Sequence, residues 1–417
     1  MLCTKLSDLY KQESLDFQQD RYSQLEKKYH KYFPETEIRF FSSPGRTEIS
    51  GNHTDHNHGK VVAASINLDS IAALQKNETD IINIYSEGFS EPFKINITNL
   101  DANPSEKETT NALIRGIAAR FTQLGYNIGG FNAVITSDVL QGSGLSSSAS
   151  IEVLVGFIFN NLFNEGKVSP QEIAKIGQYA ENHYFGKPCG LMDQMACAVG
   201  NIISIDFKNP DNAIVTPISF DFSKTGYKLV VLDTGANHAD LTDDYASIPN
   251  EMKEIAQHFG CDFCRQISEI EFMSQLPILR EKYNHRAILR TLHFINENKR
   301  VDQMVEALKL SDVFQFLILI SESGNSSFKY LQNIYSTKNI QEQGVSLALA
   351  LTEKFLKKIN AGACRVHGGG FAGTIQIFIP TNYVEDYHNF ITSIFGRNSL
   401  SILDIRPIGV TEVDINI

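Results

Sequence analysis

The chain has 417 residues, more than a single hydrophobic core usually serves, so two domains are expected. Its 37 Lys and Arg against 48 Asp and Glu leave a formal net charge of −11, which speaks against a nucleic-acid partner, because phosphate backbones attract basic surfaces. Hydrophobic residues make up 42% and charged residues 20%, an ordinary globular profile, and no apolar run approaches the roughly 18–20 residues that cross a bilayer, so no membrane partner is expected either.

The opening stretch "MLCTKLSDLYKQESLDFQQD" carries acids and no apolar segment, unlike a secretory signal. Residues 8–32 follow as a polar helix, and "EIRFFSSPGR" reads as a strand that turns at Pro44-Gly45. "KVVAASINL", "SIAALQ" and "DIINIYSE" have the β-branched content and alternation of strands. "NALIRGIAARFTQLGY" spaces its apolar residues as a helix and ends at Gly125. "GFNAVITSDV" is a strand leading through a Gly/Ser turn into the apolar helix of "SSSASIEVLVGFIFNNLF".

The next helix is signalled at both ends. Ser169 is placed to cap it, Pro170 to start it, Glu172 to complete a capping box, and Gly186 to stop it. "NIISIDF" and "YKLVVLDTG" are strands, with a change of pattern near residue 215 between them. From about 246 to 360 the chain is mainly helical. The strands "GACRVHG", "TIQIFIP" and "SILDIRPIG" surround a last helix at "NYVEDYHNFITSIF". No internal repeat or low-complexity linker appears.

Six cysteines, at 3, 189, 197, 261, 264 and 364, are too dispersed for a disulfide framework and fit a reducing, cytoplasmic setting. "CDFC" has the spacing of half a zinc site but lacks the second half.

Two glycine-rich turns compete as the phosphate site. In "QGSGLSSSAS" glycines allow a sharp turn and a close backbone approach, and serines open a helix whose unpaired N–H groups suit an anion. The motif is no Walker A loop, since "GK[ST]" is missing. The second turn, "HGGGFAGT", formally matches GxGxxG at Gly368, Gly370 and Gly373, but a strand follows it instead of a helix. It is therefore expected to be a hairpin.

The loop "GRTEISGNHTDHNHG" gathers His53, Asp55, His56 and His58, which raises a metal site. Neighbours on one loop seldom converge on one centre, and no second cluster of ligands accompanies them. The alternative is a polar clasp for a ligand rich in hydroxyl groups, which needs many directional donors and acceptors.

Three motifs in order, "PGRTEISGNHTDHNHG", "GSGLSSSASIEV" and "HGGGFAG", resemble those of the GHMP kinases. The first resembles the galactokinase signature, usually near "GRVNLIGEHTDYN.G", and "AENHYFGKPCGLMDQMACAVG" and "DTGANHADLTDDYASIPNEM" agree with it. The likeness runs from about residue 38 to 375.

This resemblance implies an α+β enzyme of two domains, ribosomal-S5-domain-2-like over 1–215 and ferredoxin-like over 216–417. It implies transfer of the ATP γ-phosphoryl group to the anomeric hydroxyl of galactose, with Mg2+, by a protein expected to be monomeric. Asp193 matches the catalytic aspartate and Arg46 the arginine beside it; Asn52, His53, Asp55, Gly190 and Tyr245 match sugar-contacting positions. Gly142, Ser143, Gly144, Leu145, Ser146, Ser147 and Ser148 match the ATP-phosphate loop, and Ser147 and Glu181 the Mg2+ ligands.

Departures concern the sugar more than the transfer. Asn52 stands where the family carries Glu, Thr47-Glu48 replace "VN", His56 replaces Tyr, and Ala372 interrupts "GGGFGG". Glu48 is placed to compensate for Asn52 if it points the same way. Asn237 stands where many relatives carry a basic residue, and nothing explains that change. The alternatives are a kinase for N-acetylgalactosamine, arabinose or a uronic acid, and a sensor that binds galactose and ATP without turnover.

Overall fold

The structure is a computed structural model describing residues 3–33, 37–139, 144–187, 189–235 and 241–415. Among these, thirteen strands form two sheets: β1 (Thr4–Lys5), β2 (Arg39–Ser50), β3 (Lys60–Lys76), β4 (Ile81–Ser86), β5 (Phe93–Asn96), β6 (Phe131–Ser137), β7 (Ile202–Asp206), β8 (Ile214–Ile218), β9 (Tyr227–Asp233), β10 (Ala363–Val366), β11 (Thr374–Pro380), β12 (Leu400–Leu403) and β13 (Thr411–Asp414). The larger sheet runs β1-β13-β2-β3-β6-β4-β5, with β7 and β8 continuing from the other end of β3. The smaller runs β10-β11-β9-β12 and is antiparallel. Mixed sheets with helices grouped against them make this the expected α+β fold. No helix among the described residues is long and apolar enough to cross a membrane.

Two details differ from the sequence reading. The chain does not turn at Pro44-Gly45; β2 runs straight through, and the register slips between Pro44 and Arg46. A proline has no N–H for the ladder, and a bulge there removes the need for one. "KVVAASINL" and "SIAALQ" are one strand, β3, whose first half pairs β7 and whose second half pairs β6. Both faces of β3 are covered along most of its length, so continuous apolar sequence does not mark a break.

One core lies between the larger sheet and the helices Thr110–Gln123, Ser147–Phe163, Pro170–Ala180 and Met192–Val199. A second core joins the sheets: Ile49, Val62 and Ala64 pack with Leu229, Val231 and Phe378 and with helices His285–Lys309 and Val313–Ser326. The ends of β2 and of the β10–β11 hairpin thereby face each other. The C-terminal end does not stay with the second half, to which the sequence reading assigned all of 216–417: β13 returns to the larger sheet, between β1 and β2. Buried Asp69 holds it there, accepting from Arg406 Nη1 at 2.8 Å and from Arg21 Nη1 at 2.6 Å. An unpaired carboxylate at that depth would cost several kcal/mol, and the two arginines, with the Tyr10 and Ser42 hydroxyls, offset that cost.

Candidate active site

Consecutive pairing of Arg46, Thr47 and Glu48 with β3 puts Arg46 and Glu48 on one face of β2. Arg46 is buried and donates Nε to Asp193 Oδ1 at 2.7 Å and Nη2 to Oδ2 at 2.6 Å. Its Nη1 donates to the Gly144 carbonyl, and its backbone N–H to the Leu145 carbonyl at 3.1 Å. Asp193 sits in the first turn of helix Met192–Val199, where the helix dipole favours negative charge. Burial pushes its carboxyl up, but the Arg46 charge and hydrogen bonds, with the Ser146 hydroxyl, hold it below the usual carboxylate range. One third of the Asp193 side chain stays exposed, so a carboxylate that is ionised at neutral pH faces open space.

Ser146 stands in left-handed conformation, φ 61°, just before helix Ser147–Phe163. Its hydroxyl donates to Asp193 instead of capping its own helix, so among the described residues the N–H groups of that first turn have no side-chain cap. They are available to an anion. Leu145 is buried, Ser147 is half-buried and Ser148 is exposed. Gly144 has φ 72°, and a Cβ there would sit 3.1 Å from Thr374 Oγ1. Gly142 and Ser143 lie outside the described residues.

The residues of the loop after β2 gather around Gly190 and the turn 367–373. A Cβ on Gly190 would fall 1.8 Å from Asp55 Oδ2, so the Gly190 backbone lies directly on that carboxylate. His53, φ 56°, donates Nε2 to the Gly369 carbonyl at 2.8 Å, and its ring stacks on Tyr245 with centroids 6.4 Å apart. The Tyr245 hydroxyl donates to the Gly370 carbonyl at 3.0 Å, and burial raises it to about 12. The turn 367–373 is the expected hairpin between β10 and β11, and it forms one wall of the site. Asn52 is brought to the same place, but its side chain is buried and all its polar atoms are bonded to the protein.

The histidines do not converge on a metal. His53 turns to Gly369, His56 to Asp55, and His58 stacks on Phe263 at 3.6 Å. Among the described residues no group of three or more His, Cys, Asp or Glu is placed to hold a metal ion.

A neighbouring acidic group had no local motif. Glu181, buried at the π-helical turn Glu181–Phe185, accepts from Gln194 Nε2 at 3.0 Å, and Glu152 accepts from the same nitrogen at 2.9 Å. Burial and the Glu181 charge push the Glu152 carboxyl well above its ordinary value, and its Oε1 has no partner among the described residues. Lys187, largely exposed, lies 3.6 Å from Glu181. A lone acid inside an apolar helix, as Glu152 is in "ASIEVLVG", was the available signal.

Two buried histidines behind the site make stability pH-dependent. His367 is bonded to Thr47 and Thr374, and His293 to Ser326 and the Asn52 carbonyl. Burial pushes both down, His367 to about 3, against about 6.5 in an unfolded chain. The unfolded chain therefore binds more protons below pH 6.5, and folding stability falls as pH drops through that range. For His367 the expected loss approaches about 1.4 kcal/mol per pH unit below pH 6.5, read from urea unfolding at pH 7, 6 and 5. Replacing His367 with Gln should lessen that slope, while the contributions of His293 and of His53, which burial also pushes down to about 3, remain.

The chain was compared with known proteins. The model described as "Galactokinase galactose-binding signature" matches residues 27–76, and that of the GHMP kinases N terminal domain matches residues 112–201. The galactokinase of Glaesserella parasuis serovar 5 is 31% identical over 362 residues, covering 86% of this chain and 89% of that protein. The chain belongs to the galactokinases. The galactokinase of Clostridium tetani is 28% identical over 392 residues, covering 90% of this chain and 92% of that protein. In fold, this galactokinase is similar to the Lactococcus lactis galactokinase complexed with galactose, with a TM-score of 0.79 at 24% identity over 94% of this chain and 99% of that one. It is also similar to the mevalonate kinase of Methanococcus jannaschii, with a TM-score of 0.63 at 16% identity over 89% and 99%. Membership makes the chain a GHMP kinase with ATP and a sugar as its small-molecule substrates.

Proposed function

We propose that this galactokinase transfers the γ-phosphoryl group of ATP to the anomeric hydroxyl of galactose, with Asp193 taking the hydroxyl proton. The observation that carries the reading is the position of Asp193. Ser146 of the phosphate loop and Arg46 of the sugar strand both bond its carboxylate, and Gly190, three residues before it, touches Asp55. Donor and acceptor sites thus meet at one ionised, half-open carboxylate.

In the transfer, the sugar oxygen bonds to phosphorus, the bond from the γ-phosphorus to the bridging oxygen breaks, and ADP leaves. A carboxylate is a weak base toward a sugar hydroxyl, but it becomes adequate as the O–P bond grows and the hydroxyl acidifies. Arg46 keeps the base ionised and places positive charge beside the transferring group. Alignment by the loops supplies most of the remaining acceleration.

Mg2+ at Ser147 and Glu181 would neutralise phosphate charge. Beside Glu181, Oε1 of Glu152 is buried with no hydrogen-bond partner among the described residues, an orphaned oxygen that suits a nearby dication. Two protein oxygens are enough, since Mg2+ usually completes its shell with water and substrate phosphates.

ADP release measured with ATP and galactose tests the reading. Release that depends on galactose and stops on chelation of Mg2+ is expected. Galactose binding without release would instead make the protein a sensor.

A further inference from the structure

Glu48 and Asn52 answer a question the family motif raises. The motif carries an amide at the position of Glu48 and a carboxylate at that of Asn52; this chain carries them in the opposite order. In the structure the two touch. Asn52 Nδ2 donates to Glu48 Oε1 at 3.1 Å and to the Gly368 carbonyl at 2.7 Å. Asn52 Oδ1 accepts from Asn333 Nδ2 at 2.8 Å and from Ser327 Oγ at 3.2 Å. Arg365, fully buried, donates Nη2 to Glu48 Oε1 at 2.7 Å and Nη1 to the Ile49 carbonyl at 2.8 Å.

Each partner fixes the chemistry of the other. Asn52 must donate on one side and accept on the other, which only an amide of that size does. A carboxylate at 52 would set acceptors against the Gly368 carbonyl and the Glu48 carboxylate. An amide at 48 would leave Arg365 as a buried cation without its counter-charge. Burial pushes the Glu48 carboxyl up while Arg365 and Arg46 pull it down, so its ionisation depends on those arginines. The pair also sits where position matters. The Asn52 side chain folds back onto β2, next to left-handed His53, and ties the sugar loop to Gly368 and, through Asn333, to Gly369.

We propose that Glu48 is a positioning residue for the sugar loop that acts through Asn52, the two forming an exchanged carboxylate–amide pair in which neither can change alone. Asn52 on this account holds the loop from behind and makes no contact with the sugar. The kinetic consequence rests on the proposed galactose kinase reading.

The test is a double-mutant cycle of Glu48→Asn, Asn52→Glu and the double exchange, which restores the family order. Each single change is expected to raise KM for galactose about tenfold or more, with KM for ATP within about threefold, and the double exchange to raise KM for galactose clearly less than the product of the two single losses. A carboxylate at 52 beside an amide at 48 regains a donor, although it still faces the Gly368 carbonyl. A double variant whose loss is the product of the two single losses would overturn the pair. If melting temperatures move while KM for galactose stays constant across the set, the pair is only a structural tie and the positioning role is wrong. Should the single variants fail to fold, Glu48→Gln and Asn52→Asp replace them, with the same expectations for each alone. A parent that makes no sugar phosphate would overturn the proposed function but not the pair. The cycle is then read from galactose affinity by calorimetry, where recovery in the double variant supports the pair and additive loss contradicts it.

Discussion

Asp193→Asn is expected to lower kcat by about 10²- to 10⁴-fold while leaving KM for galactose within about threefold. The amide keeps the shape of the carboxylate, and its oxygen can still accept from Arg46, so the sugar pocket persists. It cannot take a proton. It also leaves the buried Arg46 without the charge that its guanidinium pairs with directly. A lower melting temperature should therefore accompany the lost turnover. Steady-state kinetics with galactose calorimetry separate the effects. Undiminished kcat would remove Asp193 from the chemistry. Lost galactose binding with proportionate loss of kcat/KM would make it a binding residue instead.

The second large effect is expected at Gly190. No side chain fits there while Asp55 keeps its place, because the first carbon would lie 1.8 Å from Asp55 Oδ2 and 2.8 Å from its Cγ. Gly190→Ala must displace the Asp55 carboxylate, and Asp55 lies within the sugar loop, held by the His56 N–H at 2.9 Å. A contact displaced by an ångström costs about 10²-fold where alignment carries the rate. KM for galactose should rise at least about tenfold, since a hydrogen bond to a charged group is worth about 1.5–3 kcal/mol. KM for ATP should stay near that of the parent, because the new side chain meets Asp55 and no residue of the turn at Gly144–Ser148. An increase confined to KM for ATP would show that Asp55 and Gly190 do not belong to the sugar site.

Much of this site could be read from the sequence because its parts carry local signatures. Ser169 caps its helix by accepting from the Glu172 N–H at 3.2 Å, and the turn after Val366 is a hairpin as the alternating strand behind it required. The pairing of Arg46 with Asp193, 147 residues apart, followed only from the family likeness; neither periodicity nor spacing brings those positions together. What escaped was set by tertiary contacts. Ser146 reads as a helix cap, yet its left-handed backbone sends the hydroxyl to Asp193. That Glu48 meets Asn52 could not be read from strand alternation, since the register shifts between Glu48 and Ser50 before the chain reaches Asn52. The return of β13 depends on Asp69 and Arg406, 337 residues apart, and no window of sequence contains both.

The most direct measurement is the identity of the product formed from ATP and a panel of free sugars, assigned by phosphorus and carbon NMR. The account predicts a phosphate on C1 of galactose, with N-acetylgalactosamine, arabinose and uronic acids far behind. A phosphate at another carbon, or a clear preference for another sugar of the panel, would contradict it.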